Sequence, residues 1–152
     1  MILYLLRHGE ASHSDPGKPS SLTPKGKADV TRLAEHFVKK HWKIDALWHS
    51  PKTRAIQTAG IFREALEIPG KNAEEKNSLS PEGDIQEIYR EILAQKSERL
   101  LLVSHLPFLP SLASLLTESP SPPFSFPTSG MAAFEADKTF KLLWTLDPLS
   151  LK

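Results

Sequence analysis

Three short apolar runs each stop abruptly at a polar cluster, and this repeated arrangement constrains the chain more than any other feature. Ile2-Leu3-Tyr4-Leu5-Leu6 runs straight into Arg7-His8-Gly9-Glu10. The mixed run Ile44-Asp45-Ala46-Leu47-Trp48 is followed by Ser50-Pro51 and then Arg54. Leu100-Leu101-Leu102-Val103, the most strand-like run in the chain, ends at Ser104-His105-Leu106-Pro107. Short apolar runs bounded by polar breaks read as buried strands. In a parallel α/β sheet, ligands bind in the crevice beyond the carboxyl ends of the strands. Arg7, His8, Arg54 and His105 are therefore expected to meet at one small, strongly cationic pocket. A phosphoryl group suits such a pocket, because planar guanidinium groups match phosphate oxygens in forked pairs.

Between the runs the pattern turns helical. Thr23-Pro24 opens a helix expected through about Lys40, with Ala28, Leu33, Ala34, Phe37 and Val38 as its apolar face. A second helix is expected over 51–67, with Ser50 as its cap and Pro51 at its first position, where a missing N–H costs nothing. Arg54 then lies near the positive end of that helix, which favours an anion. Residues 84–96 and 107–117 also read as helices, 11–22 and the proline-rich 118–127 as loops. The charged stretch 71–78 has no readable period. Residues 131–135 and 140–146, separated by Ala136-Asp137-Lys138-Thr139, read as a closing hairpin. Strands alternating with helices predict one α/β domain over 1–152, a mostly parallel sheet between helical layers with an antiparallel hairpin at its end.

Composition narrows the chemistry. At 152 residues the chain is long enough to bury a core of its own. A formal net charge of +1 argues against broad nucleic-acid or membrane-surface binding, so cationic character must be local. The absence of Cys excludes disulfides, thiolate metal sites and cysteine nucleophiles. The first residues read as strand, not as a signal peptide, and no apolar stretch approaches the ~20 residues needed to span a bilayer. The expectation is a soluble, cytoplasmic protein.

The ordered set of motifs resembles the histidine phosphatase superfamily, which has the phosphoglycerate-mutase-like fold. It comprises Arg7-His8-Gly9-Glu10, Ser50-Pro51…Arg54-Ala55…Gln57-Thr58 and Ser104-His105. The short length, Leu22-Thr23…Gly26, Leu79-Ser80-Pro81…Gly83-Asp84 and Thr128-Ser129 bring it closest to the SixA-type phosphohistidine phosphatases. The resemblance implies that His8 accepts the phosphoryl group and that Arg7, Arg54 and His105 form the phosphate pocket. Many members carry an Asn six residues after the motif histidine; Ser14 stands there instead, and Ser14 and Ser50 are further candidate phosphate contacts. The resemblance implies no cofactor.

The remaining polar residues have plainer readings. Glu10 is expected to be a structural hydrogen-bond partner, and Ser50 and Thr58 cap and helix-surface residues. His13, His36, His41 and His49 are ordinary histidines, with no metal-binding pattern among the six His of the chain. The expected reaction is in-line transfer to neutral His8 followed by hydrolysis, with Arg7, Arg54 and a protonated His105 neutralising the phosphoryl oxygens. Phosphate-ester members use a carboxylic acid to protonate the leaving alkoxide. Glu82 and Asp84 are the candidates for that role, and either also suits a turn or a helix cap. A weak acid and a short chain favour a phosphohistidine-bearing phosphotransfer protein as substrate. The alternatives are a small-molecule phosphomonoesterase of the same superfamily and a non-catalytic phosphate- or phosphoprotein-binding module.

Overall fold

The computed structural model describes residues 1–12 and 17–151. Strand β1 (Ile2–Arg7) is followed by the two-residue strands β2 (Ala11–Ser12) and β3 (Ser21–Leu22), which pair antiparallel with each other. Helix α1 (Pro24–Lys39), strand β4 (Ala46–His49), helix α2 (Thr53–Ala65) and strand β5 (Ala73–Glu75) come next. Helix α3 (Ile85–Ala94), strand β6 (Arg99–Ser104) and helix α4 (Phe108–Thr117) precede the hairpin of β7 (Met131–Ala136) and β8 (Phe140–Leu146). The main sheet has the order β5-β4-β6-β1-β7-β8. Its first four strands run parallel, and β7 and β8 complete it antiparallel. This is the predicted α/β architecture.

Alternation along the central strands creates the layers. Leu3 and Leu5 of β1 face a core built with Ile88 and Ile92 of α3 and Leu109, Leu112 and Leu116 of α4. Tyr4 and Leu6 face the opposite core, with Val30, Leu33 and Phe37 of α1 and Ala55, Ala59 and Phe62 of α2. Because β1 and β6 are covered on both faces, they are apolar at nearly every position, as the leucine runs require.

Register sets the strand ends level. Arg7 lies opposite Ser104, and His49 opposite Val103. The N–H of His8 donates to the carbonyl of Ser104 at 3.1 Å, and the N–H of Ser50 to that of Val103 at 3.2 Å. Three polar clusters distant in sequence thus leave the sheet at one height.

Several boundaries differ from the sequence expectations. The buried face of α1 is Gly26, Asp29, Val30, Leu33, Ala34 and Phe37; Ala28 is exposed and Val38 is 50% exposed. Buried Asp29 accepts from Lys25 at 2.7 Å and Arg32 at 3.0 Å, which offsets its desolvation and lets a charge sit on the inner stripe. Helix α2 begins at Thr53, two residues later than expected, with Lys52 in the cap position and no side-chain cap. The unreadable 71–78 stretch contains β5, an edge strand too short and too exposed to show a period.

The first turn of α1 is wedged against the exit of β1. Thr23 accepts from the N–H of Gly26 at 3.0 Å, and its own N–H donates to the Glu10 carbonyl at 3.0 Å. A Cβ on Gly26 would lie 2.2 Å from the Glu10 carbonyl oxygen, so only glycine allows this approach. Gly26→Ala should therefore destabilise the protein by about 1–3 kcal/mol, as overpacking does. Helix propensity alone would predict a gain of about 1 kcal/mol. Chemical denaturation of the two proteins decides the sign; a more stable Gly26→Ala would mean that the wedge is not tight.

Candidate active site

His8 leaves the end of β1 almost buried, at 8% exposure. Its Nδ1 lies 2.7 Å from the Gly9 carbonyl oxygen. A carbonyl can only accept, so Nδ1 carries the hydrogen and donates it. In the neutral ring Nε2 then holds the lone pair. Arg54, in the first turn of α2, donates to that Nε2 from its Nε at 3.3 Å. Burial lowers the His8 pKa to about 4; Arg54 and Arg7 push the same way, and only the Gly9 hydrogen bond opposes them. The imidazole is a neutral base with one defined nucleophilic nitrogen at ordinary pH.

Arg7 is gripped from the hairpin side. Its Nη1 donates to the Phe126 carbonyl at 3.1 Å, and its backbone N–H to that of Gly130 at 3.0 Å. Ser129 donates its backbone N–H to the His8 carbonyl at 3.1 Å. Phe126 and Ser129 both hold left-handed backbone conformations, at φ 58° and 59°. For residues with a Cβ this costs of order 1 kcal/mol each, and such strain collects at functional sites. Arg7 Nε is buried with no hydrogen-bond partner. Burial lowers the pKa of both Arg7 and Arg54, with Arg54 adding to the effect on Arg7, yet a guanidinium keeps its charge.

Thr58 joins the first two clusters. Its buried hydroxyl donates to the Arg54 carbonyl at 2.8 Å and accepts the Gly9 N–H at 3.1 Å. The expectation of a helix-surface residue is thus corrected: one helical turn beyond Arg54, Thr58 faces inward at 0% exposure.

His105 follows β6 and is 2% exposed. Its ring centroid lies 5.0 Å from that of His8, at 54°. Its Nε2 meets the Ser50 hydroxyl at 2.6 Å, while Nδ1 is buried without a partner. Burial, then His8, Arg54, Lys52 and Arg7, lower its pKa to about 3. Burial and the neighbouring cations thus favour the neutral ring, whereas a protonated His105 was expected in the reaction. Ser50 does not occupy the helix-cap position, because α2 starts further on; its Oγ accepts from the Lys52 N–H at 3.2 Å.

The structure thus brings Arg7, His8, Arg54 and His105 together and places Ser50 behind His105. The Glu10 backbone carbonyl anchors Thr23, and its carboxylate lies 4.0 Å from Lys25. Ser14 and His13 lie outside the described residues. Asp84 caps α3, accepting from Gln86 N–H at 2.9 Å and Glu87 N–H at 3.2 Å, whereas Glu82 is exposed. The Ser104 hydroxyl donates to the Leu79 carbonyl at 2.6 Å, tying the start of that turn to the end of β6. Sequence reasoning missed Lys52, which is near enough to bear on His105, and Ser129 as a support of His8. Among the described residues no cluster of three or more His, Asp or Glu could hold a metal ion, and no helix is long and apolar enough to cross a membrane.

Residues 3–78 match the model of the histidine phosphatase superfamily, branch 1. The chain belongs to this superfamily, and it is a phosphatase. Among solved structures, the protein histidine phosphatase SixA complexed with tungstate is 28% identical with a TM-score of 0.91, covering 100% of both chains. SixA from Agrobacterium tumefaciens is 24% identical with a TM-score of 0.83 over 97% of each chain, and shows the same fold. SixA from Nakamurella multipartitia, 20% identical, has a TM-score of 0.72 over 98% of this chain and 96% of its own. No curated protein sequence matches.

In this histidine phosphatase the two ring pKa values set a pH dependence. The unfolded chain takes up these protons near pH 6.5, the folded chain only near about 4 for His8 and about 3 for His105. Across that window the unfolded state binds more protons, so stability rises with pH and falls as the pH drops from about 6.5 toward about 3. NMR titration of the ring carbons should find both midpoints well below 6.5; ordinary midpoints would mean open, hydrated rings.

Proposed function

We propose that this phosphatase hydrolyses phosphohistidine on a phosphotransfer protein through a covalent phospho-His8 intermediate, as one domain over residues 1–152. The observation that carries the proposal is the His8 ring: Nδ1–H held by the Gly9 carbonyl at 2.7 Å, and an Nε2 lone pair that accepts the Arg54 Nε–H at 3.3 Å. A binding module would need the cations alone. A nucleophile needs this tautomer.

In the first step His8 Nε2 forms a bond to phosphorus as the substrate's N–P bond breaks. A substrate ring protonated on its other nitrogen takes that electron pair and departs as neutral imidazole. The phospho-His8 ring then carries a positive charge, which its Nδ1–H shares with the Gly9 carbonyl. In the second step water attacks phosphorus, the P–Nε2 electron pair returns to His8, and the water's proton leaves with inorganic phosphate. Arg7 and Arg54 face the charge on the equatorial oxygens in both steps. Burial makes that electrostatic pull stronger than it would be in water.

Leaving-group chemistry supports the substrate class. An imidazole, whose conjugate acid has a pKa of about 6.5, needs little protonation help, whereas an alkoxide does. Asp84 spends its carboxylate on the α3 cap, which leaves Glu82 as the acid candidate of that turn. The similarity to the protein histidine phosphatase SixA points the same way.

His8→Ala should abolish turnover and leave no covalent phosphate on the protein. Retention of more than about a thousandth of wild-type kcat would sink the covalent mechanism. Arg54→Lys should cost at least about tenfold in kcat/KM despite the kept charge, because an ammonium cannot reproduce a forked contact; near-normal kinetics would place Arg54 outside the reaction. Glu82→Gln should barely change hydrolysis of a phosphohistidine protein prepared with phosphoramidate. A loss of about a hundredfold there, with folding intact, would make Glu82 a general acid and favour phosphomonoesters as substrates.

A further inference from the structure

We infer that Ser50 is a positioning residue that fixes the tautomer of His105, so that this neutral ring offers Nδ1–H to a phosphoryl oxygen. The inference rests on the proposed phosphoryl-transfer reaction for its consequence, but not for its geometry.

Ser50 is 0% exposed, so its hydroxyl must find its partners within the protein. It has two. Its oxygen accepts the Lys52 backbone N–H at 3.2 Å and stands 2.6 Å from His105 Nε2. A backbone N–H can only donate, so one lone pair of Ser50 Oγ is already committed. Two arrangements remain for the contact with the ring. If Nε2 carried the hydrogen, Ser50 Oγ would accept twice and its own hydrogen would be buried with nothing to bind. If Nε2 is the acceptor, every hydrogen of the group is used. The second arrangement satisfies the buried hydroxyl, and it places the single ring hydrogen of neutral His105 on Nδ1.

Among the described residues Nδ1 is the ring atom with no hydrogen-bond partner, although it too is buried. Its ring lies 5.0 Å from that of His8, whose Nε2 is the proposed site of phosphorylation. A buried donor left unpaired beside Arg7 and Arg54 is suited to a ligand oxygen. Ser50 therefore decides whether that atom meets the phosphoryl group as a hydrogen or as a repelling lone pair. The same arrangement lets a neutral ring meet an anion through a directed hydrogen bond.

The test reads the ring directly. Nitrogen-15 NMR of the His105 side chain at neutral pH should show a protonated Nδ1 and an unprotonated Nε2 in the wild type. Ser50→Ala should lose that preference and move His105 toward the Nε2–H form. It should also lower kcat on a phosphoramidate-treated phosphohistidine protein by about tenfold to a hundredfold, and weaken binding of inorganic phosphate. Ser50→Cys, close in size but a weaker donor, should fall between the two. A wild-type ring protonated on Nε2 would overturn the inference, as would a Ser50→Ala protein with unchanged tautomer. A changed tautomer with unchanged kcat and phosphate affinity would overturn the positioning role. If neither variant folds, the wild-type spectrum still decides the tautomer. Failure of the covalent mechanism itself would appear separately, as activity surviving His8→Ala.

Discussion

The level ending of β1, β4 and β6 is the constraint on which the site depends. Parallel strands hydrogen-bond in a fixed register, and here that register puts Arg7 opposite Ser104 and His49 opposite Val103. A slip of one residue would turn Leu3 and Leu5 toward the core now occupied by Tyr4 and Leu6, because side chains alternate along a strand. Both faces of β1 and β6 are buried, so neither face would tolerate a mismatch in size. The geometry of the site is thus held by leucine packing below it, on both faces of the sheet.

Above that edge the protein gathers positive charge, and no ion pair joins Arg7 or Arg54 to a carboxylate among the described residues. Burial, with Arg54 and Arg7 adding to it at both rings and Lys52 at His105 alone, lowers the pKa of the two histidines. The buried carboxylate in this part of the fold, Asp29, is already paired with Lys25 and Arg32. Charge that is desolvated and unpaired is costly in the resting protein. It also binds an anion more strongly than the same groups would in water. The left-handed conformations of Phe126 and Ser129 belong to the same economy, since they bring the carbonyl and N–H groups that hold Arg7 and His8 in place.

The legibility of the chain followed its periodicities. The central strands and the α1, α3 and α4 helices were readable because burial on two faces or on one stripe leaves a plain apolar pattern. The short edge strand β5 was not, for Ala73–Glu75 gains its pairing from β4 and buries almost nothing. Asp29 reads as a surface residue in sequence and becomes an inner one only when Lys25 and Arg32 close over it. Thr58 could have been inferred, because it lies four residues after Arg54 and shares the face of Ala55, Ala59 and Phe62. The support from Ser129 could not, since Thr128-Ser129 stands out as a motif but its N–H contact with the distant His8 carbonyl leaves no local signal.

By itself the sequence determined the α/β class, the parallel core and the identity of Arg7, His8, Arg54 and His105 as the residues placed at strand or helix ends. Those properties follow from local pattern: apolar runs make strands, and the residues after them fall at the carboxyl edge. Only the tertiary structure decided the burial and cations that lower the His105 pKa, the acceptor facing His8 Nδ1 and the partner of Ser50. These depend on which donor, acceptor or cation comes within a few ångströms across the sheet. Such distances are set by the packing of α2 and the hairpin segment against β1 and β6. No stretch of sequence encodes them locally, because each is a relation between segments dozens of residues apart.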